Sequence, residues 1–197
     1  MNKRDGVATR NRIVAETANL LNTDGYLRTP VSEIMRVTGL QKGGIYNHFE
    51  SRQALTLEAF DYAVERMRER LLRALQGKTS AKDKLVALIN VFREAPRGKV
   101  LKGGCPIANL AIESDDADPQ LRTAARKAMA RLIGLFERII EEGVKLGEFP
   151  KGDARARAAH MVAALEGALM LSNLYKDDSY LRGVADRLDS DVKAGPR

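Results

Sequence analysis

Glycine and proline punctuate the chain most sharply between Thr29 and Phe49, and this stretch restricts the fold more than any other. Thr29 precedes Pro30, which reads as an N-cap followed by proline at the first helical position. Val31, Ile34 and Met35 continue at helical spacing until Gly39 stops the run. A second short helix is expected from about Gln41 to His48, ending at Phe49-Glu50-Ser51. Two short helices joined by a sharp turn form a helix-turn-helix. The first must bury an apolar face to brace the second. Val31, Ile34 and Leu40 can do this against Ile13, Leu20 and Leu21 of a preceding helix, Arg10 to Asp24, which Gly25 ends.

In the second helix Ile45 and Phe49 stand four apart and should face the core. Lys42, Gly43, Gly44, Tyr46, Asn47 and His48 are left outside. A glycine within a helix costs about 1 kcal/mol relative to alanine, but it lets backbone approach a groove wall closely. Lys42 can meet a phosphate or a guanine, Tyr46 and His48 can donate to phosphates, and Asn47 can read a base edge or a phosphate. On these residues alone a DNA reader and a purely structural helical hairpin both fit.

Composition narrows the classes. The 197 residues are 44% hydrophobic, 30% charged and 5% aromatic, with scarce β-branched runs, which favours helices throughout. The formal charge of +7 suits an anionic partner. Residues 1–52 carry eight Lys or Arg against five Asp or Glu, only a modest excess. A lone cysteine, Cys105, permits no internal disulfide and fits a reducing compartment. The N-terminus lacks the apolar segment of a signal peptide, and no run approaches a membrane span. A soluble cytoplasmic protein without membrane contact is expected.

Further helices are expected from Arg52 to Leu75 (capped by Ser51, stopped by Gly77), from Ser80 through Glu94, and from Cys105 to Glu113. Others run from Asp118-Pro119 to Lys145, from Asp153 to about Tyr175, and from Ser179 to Asp191. Pro96 to Gly104 reads as a loop, Ser114 to Asp118 as an acidic turn, and residues 193–197 as a fraying tail. The fold class is therefore all-α: a three-helix bundle with the helix-turn-helix over residues 1–52, then a helical domain over residues 53–192.

Arg10 to about Leu57 resembles the DNA-binding domain of the TetR family of bacterial regulators. The match runs through Ile13, Leu20-Leu21, Gly25-Tyr26, Thr29-Pro30-Val31, Ile34, Gly39-Leu40, Lys42-Gly43, Ile45-Tyr46, His48-Phe49, Arg52 and Leu55. The resemblance implies backbone contacts for Tyr46 and His48, and places Lys42, Gly43 and Gly44 at the start of a recognition helix. It implies a phosphate-facing cap for Thr29 and a phosphate contact for Arg52, where lysine is common. Gln41 stands where a capping serine is usual, and Gly44 where a larger base-contacting residue is usual. The operator sequence is thus left open.

The resemblance also implies a C-terminal half that binds a small effector and forms a homodimer on a double-stranded inverted-repeat operator. The helix from Asp153 to Tyr175 is rich in small residues, and with Tyr180, Leu181, Val184 and Leu188 of the last helix it can pair with a second copy or close its own core. Candidate effector contacts are Tyr62, Met67, Phe92, Cys105, Asn109, Met129, Phe136, Met161 and Met170. Cys105, at a helix start near Lys99 and Lys102, reads as packing or as a reactive thiol. No enzyme, metal or cofactor is expected: Gly77-Lys78-Thr79-Ser80 mimics a phosphate loop, but its required first glycine is Leu72, and His48 and His160 form no ligand pair. An effector-independent or architectural DNA-binding protein of the same fold remains the alternative.

Overall fold

The computed structural model describes residues 3–95, 102–114 and 117–194, with side chains from residue 6 onward. Among them are nine helices and no strand: α1 (Lys3–Asp24), α2 (Val31–Thr38), α3 (Lys42–Tyr46), α4 (Arg52–Leu75), α5 (Ala81–Arg93), α6 (Pro106–Ser114), α7 (Pro119–Lys145), α8 (Ala154–Tyr175) and α9 (Ser179–Ala194). The all-α class stands. Residues 96–101 of the expected loop, 115–116 of the expected acidic turn and 195–197 of the expected tail lie outside the described residues.

Most ends follow their expected signals. Gly39 closes α2 in the left-handed region at φ +67°, where a side chain would be strained. Ser51 and Ser80 accept from the Ala54 and Asp83 amides at 3.0 Å. Asp118 and Asp153 cap α7 and α8 in the same way.

Three boundaries differ. First, α1 begins at Lys3, not Arg10. Its added turns bury no apolar stripe, and Val7 is largely exposed, so no periodicity marked them. Second, α3 spans five residues and closes at Asn47 instead of reaching His48. Third, Pro30, not Thr29, is the N-cap of α2, with extended backbone and no side-chain cap bond. The Thr29 hydroxyl donates back to the Gly25 carbonyl at 2.6 Å, so it completes the preceding turn instead of opening the next helix.

Packing divides the chain into two units, one of Met1–Met67 with Leu101–Arg126, the other of Arg68–Val100 with Lys127–Arg197. In the first, Ile13, Val14, Leu20, Ile34, Ile45, Phe49 and Leu55 share one core, flanked by Met35, Val37 and Leu40. Burying an isoleucine such as Ile34 or Ile45 contributes roughly 1.5–3 kcal/mol, so this small core fixes α3 against α1 and α2. Tyr26 and Phe60 pack edge to face at 6.0 Å beside it.

In the second unit α9 lies along α5 and α8. Phe92 and Phe136 meet edge to face at 6.4 Å. Glu148 accepts the first two amides of α5, from Ala81 and Lys82, and so completes a helix start that Ser80 caps only in part. The Lys84–Glu142 and Arg93–Asp186 pairs hold α5 to α7 and α9.

Candidate nucleic-acid interface

The α2–α3 pair begins with a short turn after α1, and that turn is tied down on both sides. The Glu113 carboxylate on α6 accepts the Tyr26 and Leu27 amides, each at 3.0 Å. From the start of α4, the Arg52 guanidinium donates to the carbonyls of Tyr26 (2.9 Å), Leu27 (3.1 Å) and Thr29 (2.8 and 3.2 Å). A planar fork with five donors can grip three carbonyls at once; a lysine ammonium could not match that geometry. The segment lacks helical hydrogen bonding of its own, so these side chains supply its partners.

A second set of bonds links the end of α1 to the residues before α6. Asn22 donates to the carbonyls of Lys102 (2.6 Å) and Gly104 (3.0 Å). Asn109 donates to the Asn22 carbonyl and side chain and to the Gly103 carbonyl. Tyr26 is fully buried; that burial, with Cys105 and Glu113 nearby, pushes its phenol well above the usual tyrosine value. Arg12 donates to the Thr38 carbonyl at 2.7 Å and so holds the far end of α2 to α1.

Held in this way, α3 presents its outer side to solvent. Ile45 and Phe49 are buried, while Lys42, Gly43 and Asn47 are exposed and Gly44, Tyr46 and His48 half-exposed. Gln41 makes no side-chain cap bond, leaving the first amides of α3 unmet by it. Neither helical glycine is required by the fold. A Cβ on Gly43 would meet nothing within 4 Å, and one on Gly44 would make ordinary contact with Leu40. Thr29 and Arg52 differ from the other six candidates. Thr29 is buried with its hydroxyl engaged, and the Arg52 guanidinium faces three carbonyls of its own chain.

The candidate effector contacts scatter. Met161 lines a cleft of about 470 Å³ in the second unit. Phe92 and Phe136 are spent on each other, and Met129 is half-buried. Met170 is 53% exposed and Tyr62 lies on the surface. In the first unit Cys105 is buried just ahead of α6, the Asn109 amide is engaged by Asn22, and Met67 is half-buried. Lys99, expected beside Cys105, lies outside the described residues. Glu113 and Asn22 carried no sequence signal for these roles, because the backbone groups they bind lie 80 or more positions away.

The last two helices resolve, residue by residue, which positions close the unit. Ala158, Leu165, Ala168 and Leu169 of α8, with Leu181 and Leu188 of α9, are buried. Ala163, Met170, Leu174 and Tyr180 are exposed, and Tyr175 stacks on Tyr180 at 5.3 Å. Thus α8 is apolar on two sides, one already covered by its own chain and one bare.

Comparison with known proteins matches residues 13–59 to "Bacterial regulatory proteins, tetR family" and residues 81–188 to "Tetracyclin repressor-like, C-terminal domain". A crystal structure of a TetR transcriptional regulator from Chloroflexus aurantiacus is similar over 98% of each chain, with a TM-score of 0.93 and 40% identity. An uncharacterized HTH-type transcriptional regulator of Mycobacterium tuberculosis is 29% identical over 85% of this chain and 86% of its own length. The HTH-type transcriptional repressor NemR of Escherichia coli K12 is 26% identical over 73% of this chain and 72% of its own.

Proposed function

The chain belongs to the TetR family of DNA-binding transcriptional regulators, and from that premise we propose that it is a cytoplasmic repressor that binds an inverted-repeat operator as a homodimer and is released by a small effector. The observation that carries the reading is the outer side of α3: it exposes Lys42, Gly43 and Asn47, half-exposes Tyr46 and His48, and holds two glycines that its own fold does not need. Side chains absent without internal cause make room for a groove wall.

Lys42 and Asn47 take base edges or phosphates, and Tyr46 and His48 donate to phosphates. Gly43 and Gly44 admit the backbone. Thr29 and Arg52 serve the same interface as positioning residues, by shaping the turn that enters α2. Residues 1–52 form the reader, and residues 53–192 the effector-binding and dimerising part. The bare apolar side of α8, with Tyr180 of α9, supports pairing with a second copy. Two-fold symmetry then sets half-sites roughly 34 Å apart. An effector that binds better to a dimer with more widely spaced readers lowers DNA affinity by its differential binding energy.

Selection of bound DNA from a random pool tests the reading. An enriched inverted repeat is expected, and a pool with no enrichment rejects it. Tyr46→Ala should weaken binding to all sequences alike, whereas Lys42→Ala should also relax preference at one base position if Lys42 reads a base.

A further inference from the structure

Within the second unit, α5, the end of α7, α8 and the end of α9 do not close completely. They leave the cleft of about 470 Å³, a size within the roughly 300–1,000 Å³ of small-molecule sites. Its floor is Leu85, Ile140, Met161, Leu188 and Val192, all core residues. Phe149 and Pro150 of the α7–α8 connection form one wall. Three polar side chains reach it: Arg157, His160 and Asp191.

Their charges are not equivalent. The Asp191 carboxylate accepts from Arg187 at 3.1 Å in an exposed pair one turn apart. Arg157 is half-buried and donates one bond, to the Pro150 carbonyl at 2.9 Å. Among the described residues no carboxylate lies within ion-pair distance of it. An apolar cleft whose one charge without an ion-pair partner is a guanidinium, with an imidazole beside it, suits an apolar molecule ending in an anion. The cleft lies away from most of the contacts expected from sequence, of which it includes Met161 alone.

We propose that this cleft binds a small amphipathic monocarboxylate, its chain over Leu85, Met161 and Leu188 and its carboxylate on Arg157. This rests on the reading that the chain answers a small effector, and it gives that effector a chemical class.

The test is calorimetric titration of the full chain with octanoate, octanol and octylamine, below any micelle concentration. Octanoate should bind tightest and octylamine weakest. Arg157→Gln should lower octanoate affinity about tenfold or more, to the level of octanol, and leave octanol unchanged. Arg157→Lys should keep the order. Ala156→Trp, at the mouth, should weaken octanoate and octanol alike, while an unaltered thermal melt shows the fold intact. Equal affinity for octanoate and octanol overturns the proposal, as does undetectable binding of all three or binding indifferent to Ala156→Trp. A change of oligomeric state in either Arg157→Gln or Ala156→Trp, with ligand affinity unmoved, assigns the cleft to a second copy and also overturns it. Operator affinity measured in the same samples separates the two ideas. Octanoate that binds as expected without loosening DNA counts against ligand release alone. DNA release that is equal in wild type and Ala156→Trp counts against the cleft alone.

Discussion

The outward sides of α3 and α8 are both left bare by their own chain, and they differ in kind. On α3 and the two residues that follow it, the bare side carries a lysine, a tyrosine, an asparagine, a histidine and two glycines. On α8 it carries Ala163, Met170 and Leu174, joined by Tyr180 from α9. Exposed apolar area of this sort is costly in water and is relieved by a partner that brings more of the same, such as a second copy. Exposed hydrogen-bonding groups beside glycines cost little in water and suit a polyanion with a groove. The two surfaces therefore ask for different partners, and the ways to separate them are specific.

The largest effect is expected from Met170→Glu combined with Leu174→Glu. Charges placed on the apolar side of α8 should convert a dimer to a monomer in sedimentation, with helix content unchanged. Operator affinity should fall by about a hundredfold or more, because the second half-site no longer benefits from the first. A charged double variant that remains dimeric would remove α8 from the interface.

Next comes Glu113→Ala. It leaves the Tyr26 and Leu27 amides without their acceptor, at a cost of about 1–3 kcal/mol. The loss should appear in thermal unfolding and in weaker operator binding, with the dimer intact. Unchanged binding would mean that the α1–α2 turn needs no anchor on α6.

Gly43→Ala should move two measurements in opposite directions. The added methyl meets nothing in the chain. It should therefore stabilise the reader by up to about 1 kcal/mol, and yet weaken operator binding where it meets the groove. A variant both more stable and tighter-binding would end the argument that the glycine makes room for DNA.

The smallest effect concerns Lys176, the only non-glycine among the described residues with positive φ, at +54° where α8 ends. Lys176→Gly should raise stability on the order of 0.5 kcal/mol by relieving that backbone, and leave DNA binding untouched.

What the sequence disclosed follows from the range of its signals. Gly39, Ser51, Ser80, Asp118 and Asp153 act within four residues of themselves, and each ends or begins a helix as its chemistry requires. Ile45 and Phe49 declare their burial by spacing alone. Thr29 misled because a hydroxyl can bond forward into the next helix or backward to Gly25, and only the folded turn decides. Arg52 shows in sequence only as a cation, and its three carbonyl partners appear only in the fold. Glu113 carries no local pattern at all. In α8 the small residues mark close approach without saying to what, since Ala158 and Ala163 look alike in sequence and face opposite ways.

The grip of Arg52 on the Tyr26, Leu27 and Thr29 carbonyls has an expected kinetic consequence. Groups held by one rigid planar cation cannot wander independently, so the entry to α2 keeps one shape between encounters with DNA. Such a reader is expected to reach a site already formed, with capture set by collision and orientation more than by a conformational search. Arg52→Lys would then slow association more than it speeds dissociation, a signature of lost stiffness and not of a lost phosphate contact.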